Sequence, residues 1–162
     1  MKIEIFDDFL SINERKEIYN FCKSQAYKRG EYDRLDCPPT GLVSDFSNEN
    51  IVQKLTKFIK DKKIEILRTY INLFLPNEKP FYHVDNDIPN HKTIIYYANN
   101  ENINYTDEGG ETFFDDGPFR RGVCFVPGRM IYFDSYLLHK ATSFRNLDRY
   151  TIAIKLKIDD SQ

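Results

Sequence analysis

The sequence predicts a mainly β chain, of α+β type, in which a helical N-terminal layer supports a larger set of strands. Three observations predict it. The hydrophobic pattern changes near residue 65, from three- and four-residue steps to short apolar runs cut by turn residues. Helical and strand patterns do not alternate, which excludes a parallel βαβ sheet and leaves a sandwich, a closed barrel or a jelly roll. Aromatic residues make up 15% of the chain, with 13 Phe, 11 Tyr and no Trp, a composition that suits a sheet core and excludes disorder.

A chain of 162 residues fits one domain covering 1–162, with 1–63 as the helical support layer and 64–158 as the β core. The first helix is expected from Ser11 to about Gly30, where Ile12, Ile18, Tyr19, Cys22 and Ala26 fall near one face. Ser11 and Glu14 have capping-box spacing, and Gly30 offers a left-handed stop. An irregular stretch around Pro38-Pro39-Thr40-Gly41 follows. A second helix is expected from Asn50 to Lys63, with Ile51, Leu55, Phe58 and Ile59 at helical steps. Each helix has a single apolar face, so both should lie on something flat. Strands are expected at about 65–75, 80–84, 92–98, 110–114, 120–126, 129–133, 139–144 and 149–158, punctuated by segments such as Pro76-Asn77, Asp115 to Pro118 and Pro127-Gly128.

Charge and cysteine usage narrow the function classes. The 23 basic and 25 acidic side chains give a net charge of −2, which provides no global electrostatic footprint for nucleic acid and leaves only a local basic groove as a route to it. Cys22, Cys37 and Cys124 are too widely spaced for a zinc knuckle and odd in number for a disulfide framework. The N-terminus turns acidic at Asp7-Asp8, where a signal peptide needs an apolar run, and no apolar stretch is long enough to cross a bilayer. The expected location is a reducing cytoplasm, with no membrane partner.

Chemistry is concentrated in few residues. Of the three histidines, His91 beside Pro89-Asn90 is expected in a loop. His83-Val84-Asp85 places an imidazole and a carboxylate two residues apart, on one side of an extended segment. His139, from a distant strand, adds a second imidazole. Two histidines and one carboxylate form the facial triad that holds non-haem Fe(II) and leaves coordination positions open. Arg149 follows ten residues after His139 and opens Arg149-Tyr150-Thr151-Ile152-Ala153-Ile154. In a strand, Arg149, Thr151 and Ala153 share one face and Tyr150, Ile152 and Ile154 the other. The second face suits packing beneath helices. The first suits a pocket floor where guanidinium and hydroxyl grip a carboxylate.

From about Arg68 to Leu156 the chain resembles the catalytic core of the Fe(II)- and 2-oxoglutarate-dependent dioxygenases of the prolyl 4-hydroxylase type. The residues carrying the resemblance are His83-Val84-Asp85-Asn86, Ile95-Tyr96-Tyr97, Gly109-Gly110-Glu111-Thr112-Phe113-Phe114, Gly128-Arg129-Met130-Ile131-Tyr132-Phe133, His139 and Arg149-Tyr150-Thr151-Ile152. The resemblance implies a double-stranded β-helix, a cupin-like jelly roll with N-terminal supporting helices. It implies His83, Asp85 and His139 as iron ligands and catalytic centre, and Arg149 as partner of the distal carboxylate of 2-oxoglutarate. Tyr97 matches a tyrosine whose hydroxyl reaches that carboxylate in oxygen-sensing prolyl hydroxylases. Thr151 matches the hydroxyl of an Arg-x-Ser pattern in other relatives.

The implied activity is hydroxylation of a C–H bond, on a prolyl residue of a peptide or protein, consuming O2 and 2-oxoglutarate and yielding succinate and CO2, with ascorbate as reductant. The alternatives are the same chemistry on a free amino acid, nucleobase or nucleic acid, and a non-catalytic jelly-roll module that binds a small acid. Two departures stand out. Many prolyl 4-hydroxylases carry Lys where Arg149 stands. The tyrosine usual before a Pro or Gly upstream of the first iron histidine is replaced by Leu75 before Pro76, leaving Tyr70 and Tyr82 as nearby candidates.

Overall fold

The computed structural model describes residues 2–29, 31–99 and 104–159. In chain order the elements are β1 (Ile3–Phe6), α1 (Ile12–Ser24), β2 (Leu42–Asp45), α2 (Glu49–Thr56), β3 (Lys63–Phe74), β4 (His91–Tyr97), β5 (Thr112–Asp115), β6 (Arg120–Val123), β7 (Met130–Asp134), β8 (His139–Ala141) and β9 (Arg149–Asp159). The strands form two antiparallel sheets, a larger one in the order β1-β7-β4-β9-β3-β2 and a smaller one in the order β6-β5-β8. Tyr97, Ile131 and Phe133 of the larger sheet pack with Phe114 and Val123 of the smaller one, and Phe125 and Phe144 close the cluster. This is the jelly roll that the family resemblance implies, one of the three architectures the residue pattern leaves open, with its inner core between the sheets.

The outer face of the larger sheet is where the helices lie. Ile18 and Cys22 of α1 and Ile51 and Leu55 of α2 join Ile71, Ile94, Ile152, Ile154 and Leu156 in one core cluster. Burying each such aliphatic side chain contributes roughly 1.5–3 kcal/mol. Alternation along β9 then sends Arg149, Thr151, Ala153 and Lys155 to the opposite face. Register continues the layout across strands, because Phe74 pairs with Arg149, Asn72 with Thr151 and Tyr70 with Ala153. The helices thus take one side of the sheet and leave the other for a cavity.

Several boundaries differ from expectation. The Ser11–Glu14 capping box forms, but α1 ends at Ser24, where Gln25 turns extended; the expected stop at Gly30 lies outside the described residues. α2 begins at an Asn48 cap and ends at Thr56. Phe58 and Ile59 still pack on the core from the turn beyond it, which is why their spacing reads as helix. Two strands come from the first 63 residues, β1 beside β7 and β2 beside β3. The expected strand at 80–84 is reduced to one bridge between His83 and His139. Pro80 has no N–H to give, and the Phe81 N–H goes to the Asp33 carboxylate. His91 opens β4 and is not a loop residue. β5 starts only at Thr112, because Gly109 and Gly110 both hold positive φ. A Cβ on Gly110 would meet Phe144 Cε1 at 2.2 Å, so that turn requires glycine.

Candidate active site

The backbone brings the two histidines together. His83 N–H donates to His139 O at 2.9 Å and His139 N–H returns a bond to His83 O at 3.0 Å. The imidazoles therefore stand side by side, ring centroids 4.6 Å apart. Asp85 is held by its own N–H, which donates to Ser135 O at 2.9 Å. His83 Nδ1 lies 3.1 Å from Phe81 O and His139 Nδ1 2.8 Å from Leu137 O. A ring nitrogen facing a carbonyl carries the proton, so each Nε2 lone pair is left to bind something else. The two Nε2 atoms point at one carboxylate, with His83 Nε2 at 3.5 Å from Asp85 Oδ1 and His139 Nε2 at 3.6 Å from Asp85 Oδ2. One ligand atom from each residue falls within 4.8 Å of the others. Two neutral nitrogens and one carboxylate oxygen on one side, with the other side open to a cavity, fit a facially bound Fe(II).

The electrostatics keep Asp85 ionised and His139 neutral, and leave His83 the member most readily protonated. Burial works against the Asp85 carboxylate, but the Lys155 charge, the His83 hydrogen bond and the His139 charge hold its pKa well below the usual carboxylate value. Burial lowers the His139 pKa to about 4 against the pull of Asp85, so this imidazole is neutral at physiological pH. Burial also opposes charge on His83, yet the hydrogen bond and charge of Asp85, with Asp33 beyond, raise it. Acid therefore competes with a metal first at His83.

The triad opens into a cavity of about 280 Å³. Its floor is the free face of β9, where Arg149, Thr151, Ala153 and Lys155 all line it. Arg149 is 1% exposed. Its Nε donates to Gly110 O at 2.9 Å and its Nη2 to Thr112 Oγ1 at 3.4 Å. Among the described residues no carboxylate forms an ion pair with it; burial pulls its pKa down, opposed by Tyr97 and, at longer range, by the Glu111 charge. A buried guanidinium without a directly paired carboxylate is a costly arrangement, relieved by an anion in the cavity.

Tyr97 lies behind this cation. Its hydroxyl donates to Thr112 Oγ1 at 2.8 Å, its ring stacks on Phe125, and Arg149 sits 5.4 Å above the ring centroid. Thr151 is buried and faces the cavity. Of the other tyrosines, Tyr70 lines the cavity, Tyr96 packs in the helix-side core, and Tyr82 lies under Arg120 and Lys140.

Residues beyond the triad and the Arg149 face complete the walls. Glu31, Tyr32, Asp33 and Thr40 approach from the irregular stretch before β2, and Arg68 and Asn72 from β3. Asp33 accepts from Thr40 and from Phe81 N–H, tying this stretch to the histidine segment. Lys155 is the most consequential omission, since it contacts Asp85 directly. One further step along the Arg149-Thr151-Ala153 face finds it.

No protein-family model matches the sequence, and no curated protein is similar to it at the sequence level. The structure is similar to that of a Pseudomonas putida prolyl-4-hydroxylase, with TM-score 0.72, 13% identity, and 96% of this chain and 92% of that chain covered. An oxidoreductase of the 2OG-Fe(II) oxygenase family from Burkholderia pseudomallei gives TM-score 0.72 at 14% identity, covering 96% and 84%. The viral collagen prolyl hydroxylase of Paramecium bursaria Chlorella virus-1, in complex with 2-oxoglutarate, gives 0.68 at 16%, covering 97% and 96%. The fold is that of the 2-oxoglutarate/Fe(II) oxygenases. Within this fold the chain covers 84–96% of each of these three structures.

Proposed function

We propose that the protein is an Fe(II)- and 2-oxoglutarate-dependent oxygenase that hydroxylates a prolyl residue of a peptide or protein. One observation carries the reading. A facial set of two imidazole Nε2 atoms and one carboxylate opens into the same cavity as a buried arginine that, among the described residues, no carboxylate pairs with directly. Metal ligands alone fit many hydrolases, and a buried cation alone fits many acid-binding proteins. Together they suit a cosubstrate that approaches a metal at one end and ends in a carboxylate at the other.

In this reading His83, Asp85 and His139 hold the metal. Arg149 grips the distal carboxylate, with its fork fixed by Gly110 O and Thr112 and braced from behind by Tyr97. Thr151 offers a hydroxyl beside it, and Ala153 leaves room for the carbon chain. When bound, iron and 2-oxoglutarate supply the oxidising power: O2 is reduced, 2-oxoglutarate goes to succinate and CO2, and one oxygen atom enters a substrate C–H bond. The protein orients the reactants and keeps water from the cavity, with Tyr32 and Val84 near its mouth and the 31–40 stretch as an outer wall. The polar segment between Asn99 and Glu108 has a length that suits a substrate-contacting loop; it includes 100–103, which lie outside the described residues. Tyr105 from that loop is buried between Phe125 and Phe144.

The mixed charges of Glu31, Asp33, Arg68 and Lys155 on the cavity wall favour a second reading, a zwitterionic free amino acid as substrate. One experiment separates the two. A proline-containing peptide library and a set of free amino acids are incubated with protein, Fe(II), 2-oxoglutarate and ascorbate, and mass spectrometry scores the gain of one oxygen atom. Oxygen gain on peptidyl proline, lost in His83→Ala and His139→Ala, is the expected result. Oxygen gain on free amino acids alone transfers the assignment to the second reading. Absence of succinate from the wild-type protein overturns both.

A further inference from the structure

Lys155 stands where an ordinary cavity wall has no need of a cation. It lies on β9 opposite Thr93 of β4. Its ammonium contacts Asp85 Oδ2, and the Thr93 hydroxyl donates to that same oxygen at 2.6 Å. Thr93 Oγ1 is in turn 2.9 Å from Ser135 Oγ, and Lys155 Nζ is 3.5 Å from Thr93 Oγ1. Oδ2 thus carries the network and also lies 3.6 Å from His139 Nε2, while Oδ1 faces His83 Nε2 and takes no bond from Lys155 or Thr93. The ammonium is also 5.7 Å above the ring of Tyr70, whose other neighbour is the Arg68 guanidinium at 4.2 Å. Arg68 is engaged by Glu31 and Asp45. Lys155 has Asp85 as its only carboxylate partner among the described residues.

We propose that Lys155 is a positioning residue that anchors Asp85 through Oδ2, presents Oδ1 to the metal, and at the same time competes with the metal for the charge of that carboxylate. The inference rests on the Fe(II) reading above. An ammonium and a divalent cation drawing on one buried carboxylate repel each other at short range. Removing the ammonium strands the carboxylate when no metal is bound and relieves the repulsion when one is. Both effects act in the same direction, toward tighter metal binding. The consequence is a site that holds its metal loosely and keeps its carboxylate aimed between turnovers.

The test uses the full chain, stripped with a chelator and titrated with Mn(II) alone, following free Mn(II) by electron paramagnetic resonance. Lys155→Met should bind Mn(II) about tenfold or more tightly than wild type. Its metal-free thermal midpoint should fall, and Mn(II) should restore it by more than in wild type. Lys155→Gln keeps a donor without the charge and should tighten binding likewise, which covers the case in which the Met variant does not fold. Lys155→Arg keeps the charge and should retain wild-type affinity. Thr93→Val removes a hydrogen bond from the same oxygen without changing charge and should not tighten binding. Equal or weaker Mn(II) binding by both neutral variants, with midpoints lowered equally in metal-free and Mn(II)-loaded protein, would overturn the inference and leave Lys155 a packing residue. A wild-type protein that binds no Mn(II) overturns the metal reading, and this inference with it.

Discussion

A guanidinium buried at the end of a cavity requires a close counter-charge, and among the described side chains no carboxylate pairs with Arg149, Glu111 acting on it only at longer range. Its fixed bonds to Gly110 O and Thr112 leave the remaining donors for a ligand carboxylate. Arg149→Gln should raise the apparent KM for 2-oxoglutarate by about two decades or more, since stranding one member of a buried ion pair costs about 3–5 kcal/mol. Mn(II) binding by the same variant should stay close to wild type, because Arg149 touches none of the triad. An unchanged KM in a succinate assay would give the carboxylate to another cation, of which Lys155 is the nearest along the strand face. At this scale the sequence was readable where spacing alone encodes position. His83 and Asp85 share a side because they are two residues apart, and Arg149 and Thr151 share a strand face for the same reason. Lys155 obeys the same alternation but has meaning only beside Asp85, a contact made between segments far apart in the chain. Tyr97 shows the opposite limit. Its alternation puts it on the inner face, but packing between Phe125 and Arg149 decides what its hydroxyl meets.

Helices and strands separate stability from the site more cleanly than residues do. Leu55 of α2 is fully buried on the outer face of the larger sheet, in the cluster with Ile71, Ile94 and Ile154. Leu55→Ala should therefore cost about 2–5 kcal/mol of stability, read as a lower thermal or denaturant midpoint. Metal binding below the transition should be unchanged, because the sheet stands between α2 and the cavity. Loss of Mn(II) affinity in a variant that is still folded would show that the two faces are coupled. The long strands β3 and β9 were legible because their apolar alternation persists over many residues. The short strands β1 and β2 were not. Each spans four residues, too few for periodicity to stand out, and each is stabilised by pairing with a distant partner. An ion pair from Asp7 to Arg129 reinforces β1 beside β7. The segment at 80–84 misled in the other direction, since its apolar residues read as a strand while its backbone donors are spent on Asp33 and His139.

Across the molecule, the jelly roll converts sequence distance into proximity. His83 and Asp85 come from an irregular connection, His139 from the smaller sheet, and Arg149 and Lys155 from the centre of the larger one. The change of hydrophobic period near residue 65 announced two kinds of layer, but the choice among sandwich, barrel and jelly roll depends on pairings that no local pattern specifies. That choice is what brings a metal-ligand set and a carboxylate-binding cation into one cavity. The most direct measurement of that pairing is an anaerobic titration of the metal-free protein with Fe(II) and 2-oxoglutarate, followed by visible absorption. A metal-to-ligand charge-transfer band that needs both additions, and that disappears in Asp85→Ala and His139→Ala, is the predicted result. No band in the wild-type protein, with Fe(II) and 2-oxoglutarate both in excess, would contradict it.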